Sequence, residues 1–304
     1  MTKRTAPTWL LFSLAGMVWG SSFLLIKVGL TAFSPAQVAV GRLGFGALAL
    51  GAIMLSRRVA PIRDWSALRH IAVVGFFLAG LPLLIWAWVG QFLPSGISAI
   101  FNATTPLLTL VLASIFLPND RMTRTGIVGV LLGAFGLTLV VGPWQYVGEA
   151  ELRGTTWAAY AGALAATSCY AIGFVYLRKT LRTSDFSPIA FSFAQISMGF
   201  IAVLVLALPS GLFAQVAFNW TALGAVLVLG AIGTGVAYIW NTMVVGAWGP
   251  VRASMVTYVT PVVGVLLGIA LLGERFSWNE PVGMVVLFTG IALAQGVIPV
   301  RRGR

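Results

Sequence analysis

Residues 8–30 read TWLLFSLAGMVWGSSFLLIKVGL, an apolar run broken by a single charge, Lys27. As a helix rising 1.5 Å per residue it is about 35 Å long, enough to cross a hydrocarbon core of about 30 Å. Comparable runs recur to the end of the chain, and this repetition decides the fold class. The predicted spans are 8–30, 35–56, 67–90, 96–117, 125–142, 156–177, 187–208, 220–242, 250–273 and 280–298. The expectation is an all-α polytopic membrane protein with ten transmembrane helices. Composition agrees: 59% of the 304 residues are hydrophobic and 9% charged, against about 25% charged in a soluble domain. The mean hydropathy is +0.97. The runs are too long for the strands of about 10 residues in an outer-membrane barrel. No loop is long enough for a second domain, so residues 1–304 read as one integral membrane domain.

The formal net charge of +12 would suggest a nucleic-acid partner in a soluble protein. Here it reports topology instead, with the lipid bilayer as partner and no nucleic acid. Fifteen of the 19 basic residues fall in alternate loops and the termini: Lys3/Arg4, Arg57/Arg58/Arg63/Arg69, Arg121/Arg124, Arg178/Lys179/Arg182, Arg252 and Arg301/Arg302/Arg304. By the positive-inside rule those segments, and both termini, are cytoplasmic. Glu149, Glu151, Glu274 and Glu280 fall on the other side. Trp9, Trp65, Trp144, Trp157, Trp220, Trp248 and Trp278 stand at span ends as an interfacial belt. The basic start followed by an apolar run has the look of a signal peptide. The run continues to Leu30 with no small-residue cleavage site, so retention is expected. One Cys (Cys169) and one His (His70) exclude a disulfide framework and a multi-histidine metal site. No cofactor is called for.

The two halves match in register. Phe33-Ser34-Pro35 opens span two as Phe186-Ser187-Pro188 opens span seven, 153 residues later. Gly75 and Gly80 match Gly230 and Gly235, and Thr105-Pro106 matches Thr260-Pro261, at 155. Gly129 and Gly136 match Gly283 and Gly290 at 154, and Lys27 falls against Arg178. An odd number of spans per half inserts the second half upside down. The expectation is two inverted five-helix repeats, 8–142 and 156–298, an arrangement typical of secondary transporters.

With Trp19-Gly20-Ser21-Ser22-Phe23 in span one, Arg42 inside span two, and Leu272-Gly273-Glu274 after Thr260-Pro261, the chain resembles EamA-type carriers of the drug/metabolite transporter superfamily. Within it the chain is most similar to bacterial inner-membrane exporters of amino acids and related metabolites, including those of the YddG type. The resemblance covers about residues 8–298. It implies multi-pass inner-membrane transport of a small molecule, not enzymatic turnover. One departure is that Pro118-Asn119-Asp120 stands in the first repeat where Leu272-Gly273-Glu274 stands in the second.

Polar residues inside spans are costly and usually face the bundle interior. Span four carries Ser98, Asn102, Thr105 and Thr109 on one helix face; span nine carries Ser254, Thr257, Tyr258 and Pro261; span eight carries Thr234, Tyr238 and Asn241. Trp19, Ser22, Pro82 and Trp86 join them from spans one and three. Candidate substrate-binding residues are therefore Trp19, Ser22, Arg42, Trp86, Asn102, Thr105, Tyr238, Asn241, Thr257 and Tyr258. For a single Ser or Thr, bonding its own helix is the commoner role. An amide is harder to satisfy that way. Pro82, Pro106 and Pro261 are helix breaks, and the last two free the carbonyls of Asn102 and Thr257 on the polar faces. Arg42, roughly 10 Å deep, either meets a substrate carboxylate or snorkels to the outer interface. Its repeat partner is Gln195. His70, at a span edge, reads as a solvated interfacial residue.

No Asp or Glu falls mid-span, so an intramembrane carboxylate relay is not expected. The sequence thus points to export or exchange of small metabolites by alternating access. Amino acids with aromatic or large apolar side chains are favoured, because Trp19, Trp86, Tyr238 and Tyr258 offer rings and Arg42 a cation. Broad drug or metabolite efflux is the alternative. An intramembrane enzyme would need a base beside a nucleophile, and no such pair is legible. Gly129 and Gly133 form a GxxxG suited to close helix packing. A homodimer through that face is an open option with no other support.

Overall fold

The computed structural model describes residues 7–117, 122–142, 153–180, 185–209, 212–213, 215–216 and 219–294. Among them the main helices are α1 (Thr8–Gly29), α2 (Pro35–Ser56), α3 (Trp65–Val89), α4 (Ser95–Phe116), α5 (Arg124–Val141), α6 (Arg153–Thr180), α7 (Pro188–Ala207), α8 (Trp220–Trp248), α9 (Ser254–Leu272) and α10 (Asn279–Ala294). Nine are long and apolar enough to cross a membrane, and α10 is shorter at 16 residues. Each predicted span is thus occupied by a helix. Residues 295–298 of the tenth span lie outside the described residues. So do Lys3, Arg4, Asn119, Asp120, Arg121, Pro118, Trp144, Glu149, Glu151, Arg182, Arg301, Arg302 and Arg304.

Local chemistry sets the helix ends. The Ser34 hydroxyl accepts from the Gln37 backbone N–H at 3.2 Å, and the Gln37 side chain accepts from the Ser34 N–H at 2.9 Å. That is a capping box, with Pro35 at the first helical position. Asn219 caps α8 by accepting from the N–H groups of Thr221 and Ala222 at 2.8 and 3.1 Å. α8 runs six residues beyond the predicted limit of 242, to Trp248. It stops where Gly249 turns to φ +82°, a conformation glycine adopts readily, and Pro250 starts a fresh turn.

A carboxylate ties α9 to α4. Gly273, at φ +64°, ends α9 and turns the chain. The Glu274 carboxylate then accepts from the backbone N–H of Ser95 (2.6 Å) and Gly96 (3.1 Å) and from the Ser95 hydroxyl (3.0 Å). The first N–H groups of a helix lack partners within it and favour an anion. Glu274→Ala is therefore expected to cost about 1–3 kcal/mol and to lower the melting temperature of the purified protein. An unchanged melting curve would contradict this role. The counterpart in the first half, Pro118-Asn119-Asp120, lies outside the described residues.

Packing crosses between the halves. α1 lies on α9, and α6 on α4. α2 packs on α8, where a Cβ on Gly230 would lie 2.7 Å from the Arg42 carbonyl oxygen. The equivalent approach joins α7 to α3, where Gly75 lies against the Gln195 carbonyl. α5 and α10 pack antiparallel: Gly129 meets Gly290 and Ala294, while Gly136 meets Gly283 and Leu287. The glycine face of α5 is thus filled by α10 of the same chain. This corrects the idea of a homodimer through that face: a second copy has no room there. Leu48, Leu131, Phe135, Leu266 and Val285 point outward, an apolar exterior suited to lipid.

Candidate substrate cavity

Four irregular segments stand at the centre of the bundle. α3 contains a π-helical turn at Phe76–Gly80, and α8 one at Ala231–Val236, 155 residues later. Such turns leave backbone groups out of the α register and frequent functional sites. α4 breaks after Asn102 and resumes at Thr105. α9 begins as a 3-10 segment, Ser254–Tyr258, before Pro261. The paired glycines and the paired Thr-Pro steps therefore mark paired backbone breaks.

Each carbonyl freed by a proline accepts from a side-chain hydroxyl instead. Pro106 cannot donate to Asn102, and the Thr105 hydroxyl does so instead at 2.7 Å. Pro261 cannot donate to Thr257, and the Thr260 hydroxyl does so at 2.7 Å. Pro82 cannot donate to Leu78, and the Tyr238 hydroxyl reaches across from α8 at 2.7 Å. The Gly233 carbonyl in the second π turn accepts from the Trp19 indole at 2.9 Å. A threonine just before proline has its hydroxyl within reach of the carbonyl three residues back, so the break carries its own donor.

Around these breaks lies a cavity with about 50 Å³ open to the centre of a water-sized sphere. By that measure a water needs about 10–15 Å³, so a few waters fit. Eight of the ten candidate residues line it: Trp19, Ser22, Arg42, Trp86, Asn102, Tyr238, Asn241 and Thr257. Thr105 does not; it is fully buried and its hydroxyl serves Asn102. Tyr258 does not either; its ring packs edge-on against Phe288, 6.4 Å between centroids. The 3-10 segment explains the difference. At three residues per turn Ser254 and Thr257 share a face, and the next residue, Tyr258, turns away.

Arg42 does not snorkel. It is 4% exposed, lines the cavity, and donates from Nε to the Thr234 hydroxyl at 2.9 Å. Among the described residues no carboxylate pairs with it, and none lines the cavity. The rings form two edge-to-face pairs, Trp19 with Tyr238 at 5.5 Å and Phe23 with Trp86 at 5.0 Å. The Asn102 amide donates to the Thr260 hydroxyl at 3.4 Å, joining the two broken helices. His70 meets the Tyr176 hydroxyl at 2.8 Å, well outside this cavity.

α6 supplies two lining residues that the sequence reading missed, Tyr170 and Phe174. A signal was present. The offset of 151 that sets Lys27 against Arg178 also carries Trp19 onto Tyr170 and Phe23 onto Phe174. Leu78, Leu83 and Ile26 complete the apolar wall.

Comparison with known proteins agrees with this architecture. The chain is 27% identical over 288 residues to the "Uncharacterized inner membrane transporter YedA" of Escherichia coli K12, covering 91% of this chain and 87% of that protein. It is 25% identical over 284 residues to "Protein PecM" of Dickeya dadantii, covering 93% and 90%. A solved crystal structure aligns with a TM-score of 0.63 at 19% identity, over 94% of this chain and 99% of that one, and so shares the fold. The EamA-like transporter family matches twice, over residues 7–142 and 157–295. With both halves matched and nine of the described helices of membrane-spanning length, the chain is a multi-pass membrane transporter, not an enzyme, and it belongs to the EamA-like transporter family.

Proposed function

We propose that this transporter carries small carboxylate-bearing metabolites, amino acids first, with aromatic or large apolar side chains preferred. Both termini are cytoplasmic, and the two five-helix repeats are inverted, giving alternating access to the central cavity. The observation that carries this reading is Arg42: a guanidinium buried in a cavity, with no carboxylate partner among the described residues. A buried charge without a counter-ion is disfavoured by several kcal/mol. A bound carboxylate would supply the missing partner through charge-assisted hydrogen bonds. The rings of Trp19, Trp86, Tyr170 and Tyr238 suit an apolar or aromatic side chain. A lipophilic cation would want an acid here, and the lining offers none.

A thermal-shift screen of the purified protein tests the ligand class. A ligand at 100 times its Kd stabilises by about 2.7 kcal/mol, a shift of several degrees. Aromatic amino acids are expected to raise the melting temperature; stabilisation by lipophilic cations alone would overturn the reading.

Without an intramembrane carboxylate relay, transport is expected to follow the solute's own gradient or to exchange one solute for another. An imposed pH gradient across proteoliposomes should then drive no accumulation above equilibrium. Accumulation driven by protons would contradict this.

A further inference from the structure

We propose that Asn102 and Asn241 form an ammonium subsite in the same cavity as Arg42, so that the preferred ligand is a zwitterion with both a carboxylate and an ammonium group. The inference rests on the transport reading above. Asn102 is 6% exposed and Asn241 8%, both line the cavity, and the side-chain oxygen of each is buried without a hydrogen-bond partner. Such orphans are rare in a folded protein and ask for a donor.

The orientation of the Asn102 amide follows from its neighbour. The Thr260 hydroxyl gives its proton to the Thr257 carbonyl. It therefore presents only lone pairs to Asn102, and the NH₂ of Asn102 must face it. The Asn102 oxygen is left as the free end of the amide. A free amide oxygen suits an ammonium, which has three donors and no acceptor.

Charge balance ranks the ligands. A zwitterion neutralises Arg42 with its carboxylate, gives its ammonium to the amide oxygens, and adds no net charge to the cavity. A plain carboxylate satisfies Arg42 but leaves both oxygens orphaned. A plain amine places a second cation beside Arg42 in a low-dielectric space and is worst.

Competition binding with radiolabelled phenylalanine tests this, using phenylalanine, 3-phenylpropionate and 2-phenylethylamine as competitors. Wild-type protein is expected to prefer phenylalanine over 3-phenylpropionate by at least about 10-fold, with the amine weakest; sites built to hydrogen-bond a ligand group reject analogues that lack it. Asn102→Leu and Asn241→Leu are expected to bring phenylalanine and 3-phenylpropionate within about two-fold of each other, with phenylalanine losing more affinity than 3-phenylpropionate. The wild-type series stands even if a variant fails to fold. Equal affinity of the first two ligands in wild type, or strongest binding by the amine, overturns the subsite while leaving a transporter. If no ligand of the three binds, the parent reading falls and the subsite with it.

Discussion

Replacing Arg42 with methionine is expected to reduce the initial rate of amino-acid uptake into proteoliposomes by about 10- to 100-fold. The range follows from losing a hydrogen-bonded charge pair worth about 1.5–3 kcal/mol. The same variant is expected to melt no lower than wild type. Arg42 has one side-chain bond, to Thr234, and no carboxylate partner among the described residues. Methionine keeps the apolar stem and removes a charge whose burial is unfavourable. A structural role would give the opposite pattern, a lower melting temperature with residual transport in proportion to folded protein. Unaltered uptake by Arg42→Met would remove the guanidinium from any part in the transport cycle.

Gly129→Leu is expected to abolish the folded protein. α5 and α10 approach until backbone touches backbone. A Cβ on Gly129 would run into the Ala294 nitrogen and lie 2.5 Å from the Gly290 carbonyl oxygen. One turn pair further, a Cβ on Gly136 would collide with the Leu287 nitrogen and stand 2.8 Å from the Gly283 carbonyl oxygen. Neither obstacle is a flexible side chain, so the helices must separate along their length. Overpacking of ordinary cores costs typically 1–3 kcal/mol; here backbone must move, and the loss is expected to exceed that. Gly224 provides the control, because nothing lies within 4 Å of a Cβ there. Gly224→Ala is expected to stabilise α8 by about 0.5–1 kcal/mol. Size-exclusion profiles of detergent-solubilised variants read both outcomes. A monodisperse, normally melting Gly129→Leu protein would contradict the close contact.

The spans were legible because apolar runs bounded by charges leave few alternatives in a membrane. The repeat was legible through glycines and prolines, whose backbone demands survive when side chains drift. Gly75, Gly80, Gly230 and Gly235 pointed to the right places, but not to π turns, which depend on hydrogen-bond register across the helix. Thr105 looked polar and central. Its hydroxyl donates to the carbonyl that Pro106 leaves open, and spacing alone does not separate that use from solute binding. Tyr258 was placed by α-helical periodicity in a segment that winds as a 3-10 helix. Tyr170 escaped because an aromatic in an apolar span resembles core packing. Only its equivalence to Trp19 sets it apart.

In the proposed transport cycle a carboxylate-bearing solute occupies the cavity around Arg42. Photocrosslinking with a diazirine analogue of phenylalanine, competed by excess phenylalanine and mapped by mass spectrometry, tests it most directly. Competable labelling is expected on α1, α3, α6 and α8, at or beside Trp19, Trp86, Tyr170 and Tyr238. Competable labelling confined to the α5–α10 pair, or none at all, would contradict it.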